Sequence, residues 1–419
     1  MLSVLTRRWQ RNAGSPLGVR ISLFFGALFV ILGLLLPYFP VWLNSRGLTP
    51  IEISTITATP LFARVIFTPA MSYVADRLGN YRLLIITLAW SALALALVVS
   101  GLSGFWQILA VGVMLQLAIS TLIPLTETVA VSAVRSEGLD YGRMRLWGSI
   151  TFIVANFAGG LVIEALGGGS AIWLIAWAIM LTLASAYWLP APERRALSAQ
   201  PPRAHWRLSL PVRLLRARLF VVFLVAIGCI HGAHATFYTF GALHWQSQGL
   251  SAAWVGTLWA IGVIAEVLLF AFSAPIVLRF SPAALIVAGA AASVLRWGIM
   301  GFDPPLAVLV PLQALHGLTY GAAHIGAIHF ISRAVPPLAL GSAQSLYSVI
   351  AAGHFQGAIG LASGSLYALL GGAVYFLAAG VSVLGLVAGL MLLGRWDGGL
   401  LWPEAPAAPA SPIALPKVG

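Results

Sequence analysis

Twelve apolar stretches, each long enough to cross a hydrocarbon layer, follow one another along this chain. They run over 21–43, 51–75, 83–101, 105–134, 146–166, 170–189, 219–245, 252–278, 283–302, 305–331, 341–366 and 371–393. A bilayer core of about 30 Å takes about 20 helical residues, and each stretch meets that length. Composition points the same way. Hydrophobic residues make up 60% of the 419 and charged residues 8%, against about 45–50% and about 25% in soluble domains. A soluble core cannot absorb this excess, so the solvent is lipid. The expected fold is an all-α integral membrane protein of twelve transmembrane helices in two pseudo-symmetric six-helix halves.

The formal net charge of +12 could suggest a nucleic-acid partner, but its distribution decides otherwise. With the N-terminus placed in the cytoplasm, twenty of the 23 basic residues fall on the cytoplasmic side. Only Arg46 falls outside, and Arg64 and Arg296 lie within spans. This is the positive-inside bias of membrane topology. It predicts cytoplasmic N- and C-termini in a bacterial inner membrane, and no nucleic-acid binding. The first apolar run is 23 residues long, beyond the 7–15 of a cleavable signal, and reads as the first span. Cys229 is the sole cysteine, which excludes an intramolecular disulfide and a cysteine-based zinc site.

Residues 190–217 hold five prolines and six arginines with little apolar periodicity, the pattern of a surface linker. The expected organisation is therefore an N-terminal segment 1–20, a six-helix half 21–189, a basic cytoplasmic linker 190–217, a second half 218–394 and a tail 395–419 rich in Pro and Ala. Paired halves place a substrate near the midplane between them. Prolines inside spans (Pro37, Pro40, Pro60, Pro69, Pro124, Pro311) suit bent, cavity-lining helices, or are ordinary tolerated kinks. Ala155 and Gly159 form a small-xxx-small pair for close helix approach.

Charges inside a bilayer are costly, on the order of 2.5–3.5 kcal/mol on insertion scales. Arg64, Glu127, Glu266 and Arg296 each stand alone in a span and can lower that cost only by pairing between helices or meeting water. Glu164, near the outer end of its span, is weaker evidence. His231 and His234 share one helix face at i,i+3. His316, Tyr320 and His324 step by four along another span, followed by His329. Histidine titrates near neutral pH, and a carboxylate near arginine and histidine can bind and release a proton, the chemistry of a proton-coupled carrier. For each histidine a satisfied interhelical hydrogen bond is the alternative. No HExxH or cysteine pattern supports a metal. G-x-S-x-G and P-loop signatures are absent, so neither an enzyme nor a nucleotide-driven pump is expected.

Six plus six spans with a central loop resemble the major facilitator superfamily. Its loop between helices 2 and 3, G-x-x-x-D-R-x-G-R-[RK], is matched by SYVADRLGNYR, which keeps Asp76, Arg77, Gly79 and Arg82 and has Ser72 in place of the first glycine. The resemblance implies a gating role for Asp76 and Arg77 on the cytoplasmic side. PLTETVAVSAVRSEGLDYGRMRLWGSI, from Pro124 to Ile150, is similar to the phenylpropionic acid transporter family, with its PLT-acid segment and DYG-x-x-RLWGS. AHATFY, AEVLLF, RWGIMG and LHGLTYGAAH extend that likeness across about 20–390. More distantly, GRMRLWG resembles the lactose permease-type sugar/proton symporters. There a helix-4 glutamate meets a helix-5 arginine in the substrate cavity, at the separation of Glu127 and Arg145. The resemblance thus implies substrate binding by Glu127 and Arg145; the residues themselves add Arg64, His231, His234 and Tyr238 as further substrate-binding candidates. By the same analogy it implies proton coupling by Glu266, Arg296 and His316, to which the i+4 ladder adds His324 as a candidate. The sugar symporters' extra helix-10 glutamate is missing, Thr319 standing in that region, so coupling leans on Glu266.

The reading is a secondary carrier working by alternating access. It imports a small organic acid with protons, 3-phenylpropionate and other aromatic acids among the candidates, needs no cofactor beyond the proton gradient, and a monomer suffices. An exporter of drugs or metabolites, a sugar or nucleoside symporter, and a non-transporting scaffold are the alternatives.

Overall fold

The computed structural model describes residues 15–190 and 209–402. Arg7, Arg8 and Arg11, most of the expected linker, and the tail beyond Trp402 with Lys417 lie outside the described residues. Among the described residues every regular element is helical, and eleven continuous helical stretches are long and apolar enough to cross a membrane. The last, Pro337–Arg395, is 59 residues long and holds two spans. They meet at a turn where Gly371 takes φ 55°.

The first half comprises α1 (Pro16–Ser45), α2 (Pro50–Leu78), α3 (Tyr81–Ser100), α4 (Phe105–Glu137), α5 (Tyr141–Leu166) and α6 (Ala171–Ala186). After a short helix, Ser209–Arg216, come α7 (Arg218–Ser247), α8 (Ala252–Ala271), α9 (Pro282–Met300), α10 (Leu306–Ala334), α11 (in three pieces, Leu340–Leu346, Tyr347–Phe355 and Gln356–Leu370) and α12 (Tyr375–Arg395).

Helix starts are written locally. Ser15, Thr49, Asn80, Asp140, Ser251 and Ser281 each accept a backbone N–H of the first turn, removing a donor that lipid could not satisfy. Thr49 and Glu52 complete a reciprocal capping box. Left-handed Gly79 and Gly138 end α2 and α4, a conformation that costs glycine least. The expected spans fall on these helices with shifted ends: 146–166 is shorter than its helix, whereas 252–278 runs past α8 into a separate short helix, Ser273–Arg279. α5 begins five residues earlier than 146, because Asp140 caps it. α10 and α11 contain wide π turns, Gly317–Ala322 and Tyr347–Phe355. Such turns cluster at functional sites.

The halves meet tightly at the face opposite the termini. Tyr38 of α1 donates to the Asn156 carbonyl of α5 at 2.7 Å and lies 3.5 Å from the Ala252 carbonyl of α8. Glu164 of α5 accepts the Ala253 N–H at 3.1 Å, capping α8 across the gap. Gly160 and Gly256 allow this approach: a Cβ would sit 2.4 Å from the Ala252 oxygen or 2.2 Å from the Asn156 oxygen. On the other flank Gly364 of α11 lies against Ser54 of α2. The Ala155/Gly159 pair packs inside the first half, against Gly33, Leu34 and Tyr38 of α1. One apolar core spans both halves at this face, uniting Trp42 with Trp245, Trp259 and Trp297; a second, around Phe220, Phe223 and Phe330, stays within the second half.

Candidate functional site

Between the halves lies a cavity of about 200 Å³ walled by α1, α5, α7, α8, α9 and α10. Its first-half wall carries Phe29, Arg145, Ser149 and Phe152; its second-half wall carries Phe237, Tyr238, Trp259, Glu266, Arg296 and His316.

Arg296 is 1% exposed and acts as a donor hub. It donates to Gln313 Oε1 at 2.6 Å, to His316 Nδ1 at 3.1 Å and to Thr319 Oγ1 at 3.2 Å. The ring faces of Trp297 and Phe237 lie 4.5 and 5.1 Å from its guanidinium carbon. A guanidinium only donates, so His316 must accept at Nδ1 and carry its proton on Nε2. That N–H points at Glu266 Oε2, 3.3 Å away. The second branch is directional too. His234 Nδ1 lies 2.8 Å from the Ile230 carbonyl, which can only accept, so Nε2 receives the Thr319 hydroxyl proton at 3.1 Å. The chains therefore run from Arg296 through Thr319 to His234, and from Arg296 through His316 to Glu266. Both histidines are neutral in this arrangement, and Glu266 is the terminal acceptor.

Close packing fixes the register. Gly317 faces the Ala265 backbone, where a Cβ would sit 2.9 Å from its carbonyl oxygen, and Gly321 faces Leu269 and the Glu266 stem. These two glycines of the α10 π turn let α8 approach and bring Glu266 to His316.

Of the residues expected from sequence, Arg145, Tyr238, Glu266, Arg296 and His316 line the cavity. Glu127 interacts with the Tyr141 hydroxyl and with the charge of Arg145, beside the cavity. His231 stacks on Tyr320 at 5.0 Å, and His324 bonds the Tyr347 hydroxyl at 2.9 Å; His231, His234 and His324 stand outside the lining, as does Arg64, whose charge acts on Tyr320. Asp76 accepts from Tyr81, while Arg77 donates to Tyr73 at 2.7 Å, so both make contacts local to the α2–α3 turn. Among the described residues no group of three metal-ligating side chains forms. Gln313 and Ser149 escaped the sequence reading because neither carries charge; the i,i+3 spacing of Gln313 and His316 was the available signal.

The model of the MFS_1 like family matches residues 18–378. This chain belongs to that family. The MFS_1 like assignment makes it a transporter of the major facilitator fold and not an enzyme. The chain is 30% identical over 367 residues to the probable 3-phenylpropionic acid transporter of Escherichia coli (strain K12), covering 87% of this chain and 94% of that one. It is 26% identical over 341 residues to the maltose permease of Geobacillus stearothermophilus, covering 79% and 83%. Among solved structures the nucleoside transporter NupG superposes with a TM-score of 0.79 at 16% identity, covering 90% of this chain and 99% of that one; at that identity the likeness speaks for the fold alone.

Proposed function

We propose that this chain is a proton-coupled symporter that imports a small aromatic carboxylate such as 3-phenylpropionate, across a bacterial inner membrane with both termini in the cytoplasm. The observation that carries the reading is the cavity itself. A guanidinium, Arg145, and a carboxylate, Glu266, face one small space whose remaining wall mixes aromatic and aliphatic side chains with a few polar ones. Among the described residues Arg145 forms no ion pair within 4 Å; Phe29 and Phe25 lie under it, with ring centroids 3.8 and 5.9 Å from its guanidinium carbon. Arg296, by contrast, is 1% exposed and already donates from both Nη atoms to Gln313, His316 and Thr319. An incoming carboxylate is therefore assigned to Arg145, and an aromatic body to Phe152, Phe237 and Trp259, where ring contacts contribute beyond area burial.

Coupling follows from charge. Two carboxylates, the cargo's and Glu266, repel in a low-dielectric cavity, and a proton on Glu266 removes that repulsion. Protonation also takes the charge off the carboxyl that accepts from His316, so the contact between α8 and α10 weakens. Cargo and proton then favour the same state, which is the requirement for symport. With the positive-inside orientation, the closed face is the outer one and the present state faces inward. Glu127, His231, His234 and Tyr238 support the pocket walls in this reading, His324 extends the coupling cluster toward α11, and Asp76 and Arg77 act in the cytoplasmic gate.

Uptake of radiolabelled 3-phenylpropionate into proteoliposomes, above that of protein-free vesicles, tests the reading. Accumulation is expected under an imposed inward proton gradient and only equilibration without one. Uptake of maltose or a nucleoside in place of 3-phenylpropionate would discard the aromatic-acid assignment, and extrusion from whole cells would reverse the direction.

A further inference from the structure

The α5 face beneath Arg145 carries a second, uncommitted polar group. Ser149 lies one turn beyond Arg145 and lines the same cavity. Helical serines and threonines commonly return their hydroxyl proton to the carbonyl four residues back, as Ser22, Thr121, Thr126, Thr182 and Ser293 do here. Ser149 makes no such bond and has no other hydrogen-bond partner among the described residues.

Gly148, between the two, shows where the guanidinium lies. A Cβ there would stand 3.1 Å from Arg145 Nη1 and 2.8 Å from the Phe29 ring. Arg145 thus runs forward along its own helix, over the turn that ends in Ser149, with the Phe29 ring against one side. This leaves a planar donor fork and a hydroxyl donor side by side on one wall. A carboxylate suits that pair: its oxygens offer about four lone-pair sites and take bidentate donors from a guanidinium.

We propose that Ser149, together with Arg145, is the cargo's carboxylate-recognition site, with Ser149 the specificity-determining donor that separates acids from their uncharged analogues. The cargo then lies with its anionic end on the first half and its apolar end against Phe237 and Trp259 of the second, bridging both bodies that must move. Gly148 is the positioning residue, since a side chain there would shift the Phe29 ring on which Arg145 rests and press on the guanidinium. The inference rests on the aromatic-acid reading above and deepens it.

Equilibrium binding to the full chain in nanodiscs, without a proton gradient, tests it with two probes, 3-phenylpropionate and the uncharged 3-phenyl-1-propanol. Ser149→Ala should weaken 3-phenylpropionate about tenfold, the effect of one hydrogen bond to a charged group, and leave the alcohol within about twofold. Ser149→Thr should restore acid binding. Equal acid affinity in wild type and Ser149→Ala overturns the role of Ser149 while leaving the aromatic-acid reading standing. Equal losses for acid and alcohol make Ser149 a packing residue and also overturn it. Failure of the wild type to bind the acid overturns both.

Discussion

Arg296 is a buried cation whose nearest partners are neutral. Three of its five N–H donors end on an amide, an imidazole and a hydroxyl, while the carboxylate of Glu266 stands one residue further on, behind His316. Lysine keeps the charge but offers a point of donors without the planar fork, so it cannot serve all three. Arg296→Lys should lower the thermal unfolding temperature in detergent and cost about 3 kcal/mol, as expected when a buried charged network is broken. An unchanged melting curve would contradict the hub. Gln313→Leu should act in the same direction but less, about 1–3 kcal/mol, because one acceptor is lost and one donor left without its partner.

Helices α5 and α8 show how a closed face is built from missing side chains. Gly160 and Gly256 sit where the two backbones nearly touch, and Tyr38 stitches both to α1. Gly256→Val should reduce the population closed at this face by roughly ten- to hundredfold, the effect of overpacking a tight contact. Accessibility of an engineered cysteine in the cavity to a membrane-impermeant thiol reagent from that face should rise accordingly, in a background with Cys229 replaced. Glu164→Ala removes only an exposed bond to a helix N-terminus, worth about 0.3–1 kcal/mol, and should raise the same accessibility about two- to fivefold. Equal labelling of the Gly256→Val variant and its parent would contradict the packing account.

The elements themselves were readable from hydropathy, since a span must be long and apolar whatever it packs against. Which spans bend, and where their faces point, was not. The π turns of α10 and α11 arise from tertiary packing and leave no local propensity mark. The candidate site was legible in its charges, Glu266 and Arg296, because a bilayer penalises them, and in His316 through its i+4 ladder with Tyr320 and His324. Its uncharged members were not, because Ser149, Gln313 and Gly148 look like any small or polar residue until the neighbouring helix is in place. Position along the chain also could not separate Arg145, which lines the cavity over Phe29, from Arg296, whose two Nη atoms are already engaged.

For the whole molecule, the closed face and the cavity behind it describe one state of a carrier that must expose the same site on both sides in turn. In the proposed alternating-access cycle the two halves move relative to one another around the cavity, where Glu266 lies on the second-half wall. The central claim is that cargo and proton cross together through this carboxylate. The direct measurement is simultaneous recording of 3-phenylpropionate entry and internal pH in proteoliposomes, for wild type and Glu266→Gln, each against protein-free vesicles. The account predicts internal acidification in fixed proportion to carrier-mediated entry in the wild type. It predicts entry without that proportion, or exchange alone, in the variant. Equal acidification per molecule carried by both proteins, or wild-type entry with no proton movement, would contradict it.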